Sequence, residues 1–481
     1  MILITALILL FIVFTATLSR KLNIPLIIIA LVIGIVFGSD VTGLIYFDNA
    51  QLSQKIANIA LVFILFSGGF GTKTSNLRPV IKPTMLLATI GVLLTAGISS
   101  IIFCLLSGWT FFKSLLLCAI ISSTDAAAVF SILRTRSLNK NVASMAEIES
   151  AANDPMAIIM TTFIIQIILG VSLKTEFIIG LFIWQLVGGI TIGIIMGFVG
   201  SYIFGKIKDN DVGYFYIFLI GIILFSYGIA DLCKASGMLS VFFAGYIMGN
   251  KKLPYKNGIS SFTEILSFIS NVGLFVLLGL LVFPKQFSGI WINGILLFVI
   301  LTFIARPLAV FICTFFTKLS FLEKIFLSWS GLRGAVPIVL ATYPLAAGID
   351  SEHQIFNIIF FTVTLSLFIQ GSTIGKIADF LKLGTKQQHK SKQTMELVTI
   401  HDTNIELIEV FIDPDIYDGT CKISNMTLPI DTTITMISRN NKIIVPSGQT
   451  IILPGDNLSL LTDNKKIEET ISELFKMFTK K

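Results

Sequence analysis

The chain has 481 residues, 54% of them hydrophobic and 13% charged, with a mean hydropathy of +0.88. Ordinary soluble domains carry ~25% charged residues, so lipid has to cover part of this surface; a single cytosolic domain, a secreted scaffold and a disordered chain are excluded. Residues 1–386 hold 25 Lys/Arg against 15 Asp/Glu, while residues 387–481 hold 10 against 13, so the basic excess lies in the apolar part, where it orients helices in a bilayer and does not bind nucleic acid.

A membrane helix needs roughly 20 apolar residues to cross ~30 Å of hydrocarbon. Thirteen runs are candidates, at about 2–19, 23–38, 54–70, 83–106, 111–134, 142–170, 177–204, 212–230, 236–250, 262–283, 288–314, 320–346 and 353–380. With the N-terminus outside, the odd-numbered connections carry fifteen Lys/Arg, among them Arg20, Lys21, Lys73, Arg78, Lys82, Arg134 and Arg136, against five in the even ones. That asymmetry follows the positive-inside rule and leaves the C-terminal tail in the cytoplasm. The first run has no basic residue before it, so an uncleaved first helix is expected and not a signal peptide.

Residues 381–395 are polar and basic and read as a linker. From 396 the texture changes to short strand candidates, Leu407 to Ile412, Thr433 to Arg439, Lys442 to Val445, Thr450 to Leu453 and Asn457 to Leu461. Turn signals such as Pro454-Gly455-Asp456 separate them. Ile467 to Phe478 is expected to close a small cytoplasmic α+β domain of residues 396–481.

An ionisable group inside a span costs about 2.5–3.5 kcal/mol on insertion scales and is a functional candidate by default. Six qualify: Asp125, Glu147, Glu149, Asp154, Arg306 and Arg333. Ser122-Ser123-Thr124-Asp125, followed by small residues, suits an interrupted helix, because Ser, Thr and Asp compete for backbone groups and favour helix ends. In Glu149-Ser150-Ala151-Ala152-Asn153-Asp154-Pro155, Ser150 and Asp154 share one helix face and Glu149 and Asn153 its neighbour. Together they offer the oxygen ligands that a dehydrated cation needs. Ser330-Gly331-Leu332-Arg333-Gly334-Ala335-Val336-Pro337 reads as a second broken helix. A lone buried charge is untenable, so Arg333 is expected to pair with Glu149; Arg306 reads as a structural pairing residue.

Broken helices at corresponding positions in two halves point to a secondary transporter with inverted repeats. The fifth and twelfth runs are separated by seven, an odd offset that turns one copy upside down. Two broken helices crossing at mid-membrane would bring Thr124 and Asp125 beside Asp154. His353, His389 and His401 lie at or beyond the ends of runs, against an intramembrane histidine relay. The five cysteines form no CxxC, so neither disulfide framework nor zinc site is expected.

STDAAAVF, ESAANDP, GMLSVFFAGYIMGN and GLRGAVPIVLAT, between roughly residues 120 and 345, resemble the signatures of the monovalent cation:proton antiporter family. With its tail, the chain resembles the cell-volume-regulation type of potassium/proton antiporter. The resemblance implies a homodimer working by an elevator-like movement, with Asp154 as the shared cation and proton carrier and Asn153 its structural neighbour. It also implies that Ser150, Asp125 and the Thr124 backbone complete the site for the transported K+ or Na+, that Glu149 and Arg333 are the stabilising pair, and that exchange is electroneutral. The tail, with Leu428-Pro429, Ile437-Ser438-Arg439-Asn440 and Pro454-Gly455-Asp456, resembles the C-terminal lobe of potassium-conductance regulatory domains. Residues 396–481 read either as a dimerisation or stability module or as a regulatory domain that binds a cytoplasmic protein or a small ligand, a regulatory nucleotide being one option. No cofactor is expected in the membrane part.

Other classes are weighed by what they would need. A sodium-coupled solute symporter needs a larger polar and aromatic pocket at the midplane. A tail-gated cation channel would lack proton coupling, and no TVGYG-like filter is present. No catalytic dyad, metal cluster or phosphate loop points to an enzyme.

Overall fold

In hydrocarbon an unpaired backbone N–H or C=O costs several kcal/mol, so apolar runs must close into helices. The computed structural model describes residues 10–11, 15, 26–38, 40–47, 49–74, 78–125, 140–170, 175–207, 212–282, 289–317, 319–350, 353–383, 405–412, 417, 421–426, 428–439, 442–463, 466, 469–470 and 473–474. Its helices are α1 (Leu26–Phe37), α2 (Ala50–Gly71), α3 (Ile81–Ser107), α4 (Phe111–Ile120), α5 (Lys140–Ile168), α6 (Thr175–Phe204) and α7 (Val212–Leu232). They continue with α8 (Gly237–Gly249), α9 (Lys256–Leu280), α10 (Trp291–Cys313), α11 (Phe321–Trp329), α12 (Ala335–Ala346) and α13 (Gln354–Phe380).

Among the described residues, 8 helices are long and apolar enough to cross a membrane: α2, α3, α5, α6, α7, α9, α10 and α13. Helices α1, α4, α8 and α12 are apolar but shorter. The helices stand at the second to thirteenth of the expected runs. The first, 2–19, lies almost wholly outside the described residues. Large apolar side chains such as Leu105, Ile217 and Phe315 are exposed on the outside of the bundle, as lipid contact requires.

The helices pack in two groups. Helices α1, α2, α6, α7, α8 and α9 pack mainly on one another, and so do α3, α4, α5 and α10 to α13. The groups meet chiefly where α12 lies against α2, and there the Tyr343 hydroxyl donates to Asn58 Oδ1 at 2.7 Å. Within the first group α2 and α8 touch backbone to backbone. A Cβ on Gly69 would strike the Phe242 carbonyl, one on Gly245 the Phe66 carbonyl, and one on Gly249 the Phe70 carbonyl. Small residues at such crossings gain van der Waals contact, the main attraction between helices that lipid cannot drive together.

Two helices of the second group carry a π turn, Leu87–Gly91 in α3 and Ile300–Ala305 in α10. Each π turn packs against the helix that carries the other. In α10 the Arg306 N–H bonds back to the Leu301 carbonyl. Pro307 follows, and lacking an N–H it cannot close the α-helical bond that would compete.

Residues Lys386–Lys481 form a separate unit. Strands β1 (Ile405–Phe411), β3 (Thr433–Arg439), β4 (Lys442–Ile444) and β6 (Asn457–Asp463) make one antiparallel sheet in the order β1-β6-β3-β4. The short strands β2 (Cys421–Lys422) and β5 (Ile451–Ile452) pair separately. The sequence reading missed β2, whose two residues are too few to show alternation. The expected closing helix lies largely outside the described residues. Ile412, Ile434, Ile437, Ile452, Leu458 and Leu460 form the core. Asp456, fully buried, accepts from Arg439 Nε at 2.7 Å and Nη2 at 2.8 Å, and from the Leu453 N–H at 2.8 Å. Those bonds push the Arg439 guanidinium above its ordinary value.

The glycine crossing gives a direct expectation. Gly245→Val should collapse the yield of monodisperse protein, since overpacking costs about 1–3 kcal/mol even where a core can adjust and here the obstacle is backbone. Gly97→Ala, where nothing lies within 4 Å, should leave the yield and thermal midpoint in detergent unchanged or slightly raised.

Candidate functional site

Two interrupted helices cross at the centre of the second group. Helix α4 stops at Ile120 and the chain runs on non-helically through Thr124 and Asp125. Helix α11 stops at Trp329, and α12 restarts at Ala335. Where the two breaks meet, the Asp125 N–H donates to the Leu332 carbonyl at 2.7 Å. Arg333 Nη1 donates to the Ser122 carbonyl at 2.6 Å and to the Ser123 carbonyl at 3.0 Å. The Arg333 N–H donates to Ser366 Oγ on α13 at 3.2 Å. Unwinding releases carbonyls that would otherwise stand unpaired in the buried interior, and the guanidinium satisfies two of them. The segment after Asp125, residues 126–139, lies outside the described residues.

Two glycines set the distance of approach. A Cβ on Gly334 would occupy the position of the Asp125 carboxylate. A Cβ on Gly331 would lie 2.8 Å from Arg306 Nε and 3.4 Å from Thr124 Cγ2.

Helix α5 faces this crossing with its polar positions. Asn153 is fully buried and spends its amide on holding the helix to the unwound strand. Its Nδ2 donates to Thr124 Oγ1 at 2.7 Å and to Glu149 Oε1 at 3.1 Å, and its Oδ1 accepts from the Thr124 N–H at 3.3 Å. Thr124 Oγ1 and Ser150 Oγ share a hydrogen bond of 2.5 Å. Pro155 inside the helix leaves the residue-151 carbonyl without its usual donor.

Glu149 is 1% exposed and pairs with Arg306, not with Arg333 as expected. Arg306 Nη1 donates to Oε1 at 2.9 Å and Nη2 to Oε2 at 2.7 Å, a bidentate fork. The expected partner is engaged elsewhere, on the carbonyls of Ser122 and Ser123. Arg306 reaches Glu149 because the π turn re-aims the helix at that point and because Gly331 leaves room above it. Arg306-Pro307 was the visible signal; the π turn was not. Ser366 and Gln370, which support Arg333 and the Trp329 carbonyl, were also missed, since one Ser and one Gln in an apolar run have no distinctive spacing.

Asp154 is left over. It is 7% exposed, its Oδ1 is buried without a hydrogen-bond partner among the described residues, and the Ser123 hydroxyl stands close beside the carboxylate. Among the described residues, the acids Asp125 and Glu149 lie near enough to act on it. With Asp125, Glu149, Asp154, Arg306 and Arg333 counted as ionised, these five described groups carry a formal charge of −1. The structure thus gathers Thr124, Asp125, Glu149, Ser150, Asn153 and Asp154 at the crossing. The side chain of Glu147 lies outside the described residues.

This arrangement can be set beside known proteins. Residues 7–379 match the family described as sodium/hydrogen exchanger, transmembrane. The chain belongs to that family. It is 34% identical over 468 residues to the K(+)/H(+) antiporter NhaP2 of Shewanella sp. (strain ANA-3), covering 95% of this chain and 80% of that protein. It is 30% identical over 412 residues to the Na(+)/H(+) antiporter 1 of Methanocaldococcus jannaschii, covering 79% and 94%. The structure of the sodium proton antiporter MjNhaP1 from that archaeon at pH 8 matches with a TM-score of 0.69 at 27% identity, covering 79% of this chain and 97% of that one. This family member is therefore a multi-pass membrane protein.

A double-mutant cycle on thermal stability separates the two pairings. Glu149→Ala or Arg306→Ala alone should each cost about 3–5 kcal/mol, because each strands a buried charge, and together much less than their sum. Glu149→Ala and Arg333→Ala should add. Coupling to Arg333 and additivity with Arg306 would reverse the assignment.

Proposed function

We propose that the chain exchanges a monovalent cation, K+ or Na+, for H+ by alternating access, with Asp154 as the carrier of both. The observation that carries this reading is the buried Asp154 carboxylate whose Oδ1 has no partner, set among two other acids and the oxygens of Thr124, Ser150 and Asp125. A charged, empty carboxylate in such a site is strongly disfavoured. It is relieved either by a proton or by a cation that takes the surrounding oxygens as ligands, and the two exclude each other. If the crossing helices switch sides only when the site is neutral, each passage carries one or the other, and flux of one is tied to counter-flux of the second. A single carrier carboxylate that takes either one proton or one monovalent cation favours one-for-one, electroneutral exchange.

The π turns in α3 and α10, each followed after a short connection by an interrupted element, support two inverted repeats within about thirteen spans. The basic connections support an outside N-terminus and a cytoplasmic tail. The division of helices into two groups suits movement of the ion-binding group against a fixed one, in a homodimer. Residues 396–481 would bias that movement by binding a small ligand, a nucleotide being one option, more tightly in one state than the other.

In everted vesicles with a quenched pH dye, K+, Na+, Li+ or Rb+ added in turn should give dequenching that ranks the cations. Asp154→Asn should abolish the signal for all four while the protein still inserts; cation-driven proton movement retained in that variant would remove Asp154 from the mechanism. Deleting residues 396–481 should shift the pH or cation dependence of exchange, and an unaltered dependence would dismiss a regulatory tail.

A further inference from the structure

We propose that the Ser123 hydroxyl is a further ligand of the transported cation and sets, with the oxygens already named, which cation the site prefers. This rests on the exchange reading above. Four hydroxyls stand at the crossing, and three are committed. Ser122 Oγ donates to the Ala119 carbonyl at 2.7 Å. Thr124 Oγ1 and Ser150 Oγ bond each other at 2.5 Å, and Thr124 Oγ1 also accepts from Asn153 Nδ2 at 2.7 Å. Ser123 differs. It is fully buried, its hydroxyl stands close beside the Asp154 carboxylate, and among the described residues that hydroxyl has no other partner.

The broken helix explains why this hydroxyl is available. In a regular helix a Ser hydroxyl bonds back to the carbonyl three or four residues earlier, as Ser99 and Ser107 do in α3. Helix α4 ends at Ile120, and Ser123 makes no such bond among the described residues. Its main chain is nevertheless held firmly. The Ser122 and Ser123 carbonyls accept from Arg333 Nη1 at 2.6 and 3.0 Å, and the Thr124 N–H donates to Asn153 Oδ1 at 3.3 Å. With the backbone held, the side chain is left to turn among its staggered χ1 positions. A hydroxyl has one donor and two lone pairs. Turning lets it donate to the charged carboxylate or present a lone pair to a cation that the carboxylate holds.

The chemistry of the donor fits a role in selection. A carboxylate attracts any small cation, and discrimination between cations depends on the number and placing of the oxygens that replace the hydration shell. Ser123 adds one such oxygen without adding charge, so one proton still balances one monovalent cation. Its anchored backbone fixes the distance from which that oxygen is offered, and a fixed distance suits one cation radius better than another.

The test compares Ser123→Ala, Ser123→Cys and Ser123→Thr with the parent protein, by exchange in everted vesicles with K+ or Na+ and by thermal midpoint in detergent with and without each cation. Ala removes the oxygen, and Cys replaces it by a sulfur that is a poor ligand for a hard cation. Both should raise the KM of the preferred cation about threefold to tenfold, the loss of one oxygen contact, and should change the ratio of the K+ and Na+ KM values. Their midpoints without cation should equal or exceed the parent's, since no fixed hydrogen bond is lost, while the rise that a given cation concentration produces should shrink. Thr returns the oxygen and should recover most of the lost affinity. Ala and Cys variants whose KM values and K+/Na+ ratio match the parent's would overturn the proposal, whatever their stability. Parent protein that moves no protons in response to either cation would instead strike the functional reading itself.

Discussion

A carboxylate buried in a membrane protein without a permanent counter-ion has to be neutralised by something that comes and goes. Among the described residues no cation pairs with Asp154, and the surrounding structure keeps it so. Arg306 is committed to Glu149 by a bidentate fork, and Arg333 to the carbonyls that the first break releases. Both cations are thereby tied up in holding the crossing together, and neither is left to satisfy the acid. Asn153 acts in the same sense. Both N–H bonds of its amide and its Oδ1 join α5 to Thr124 and Glu149, so the residue beside Asp154 is a fastening.

Backbone geometry makes this possible. Interrupted helices bring carbonyls and N–H groups into the buried interior of the bundle, where no regular helix would expose them. Gly331 and Gly334 let two charged side chains, Arg306 and Asp125, lie where a Cβ would otherwise be. The π turn at Ile300–Ala305 directs Arg306 inward. Such irregularities are stable only where other groups over-determine them, and here ion pairing, side-chain hydrogen bonds and close glycine contacts all bear on the same ten residues of crossing chain.

Much of this was legible in the sequence because membrane chemistry is unforgiving. Few charges interrupt the apolar runs, so Asp125, Glu149, Asp154, Arg306 and Arg333 stood out, and Gly-rich or Ser/Thr-rich segments marked the breaks. The i,i+4 spacing put Ser150 and Asp154 on one face and Glu149 and Asn153 on its neighbour, and the structure brings both faces to the unwound Thr124. The partner of Glu149 was misread because sequence distance carries no information on which of two arginines is nearer once a helix contains a π turn. Gly331 was read as a helix breaker, which it is, but its second use as a seat for Arg306 requires knowing what lies above it. In the C-terminal unit the four strands of the main sheet follow from β-branched runs and turn signals, whereas the two-residue β2 depends on pairing with β5 and has no pattern of its own.

The central claim is that one carboxylate serves two passengers in turn, and proton release on cation binding tests it most directly. Purified protein in detergent, titrated with K+ or Na+ in buffers of different ionisation enthalpy, should release close to one proton per cation bound, at a pH where the empty site is protonated. Replacing Asp154 by Asn should remove both the binding and the release. Cation binding with no proton released, in protein that still exchanges, would contradict the account.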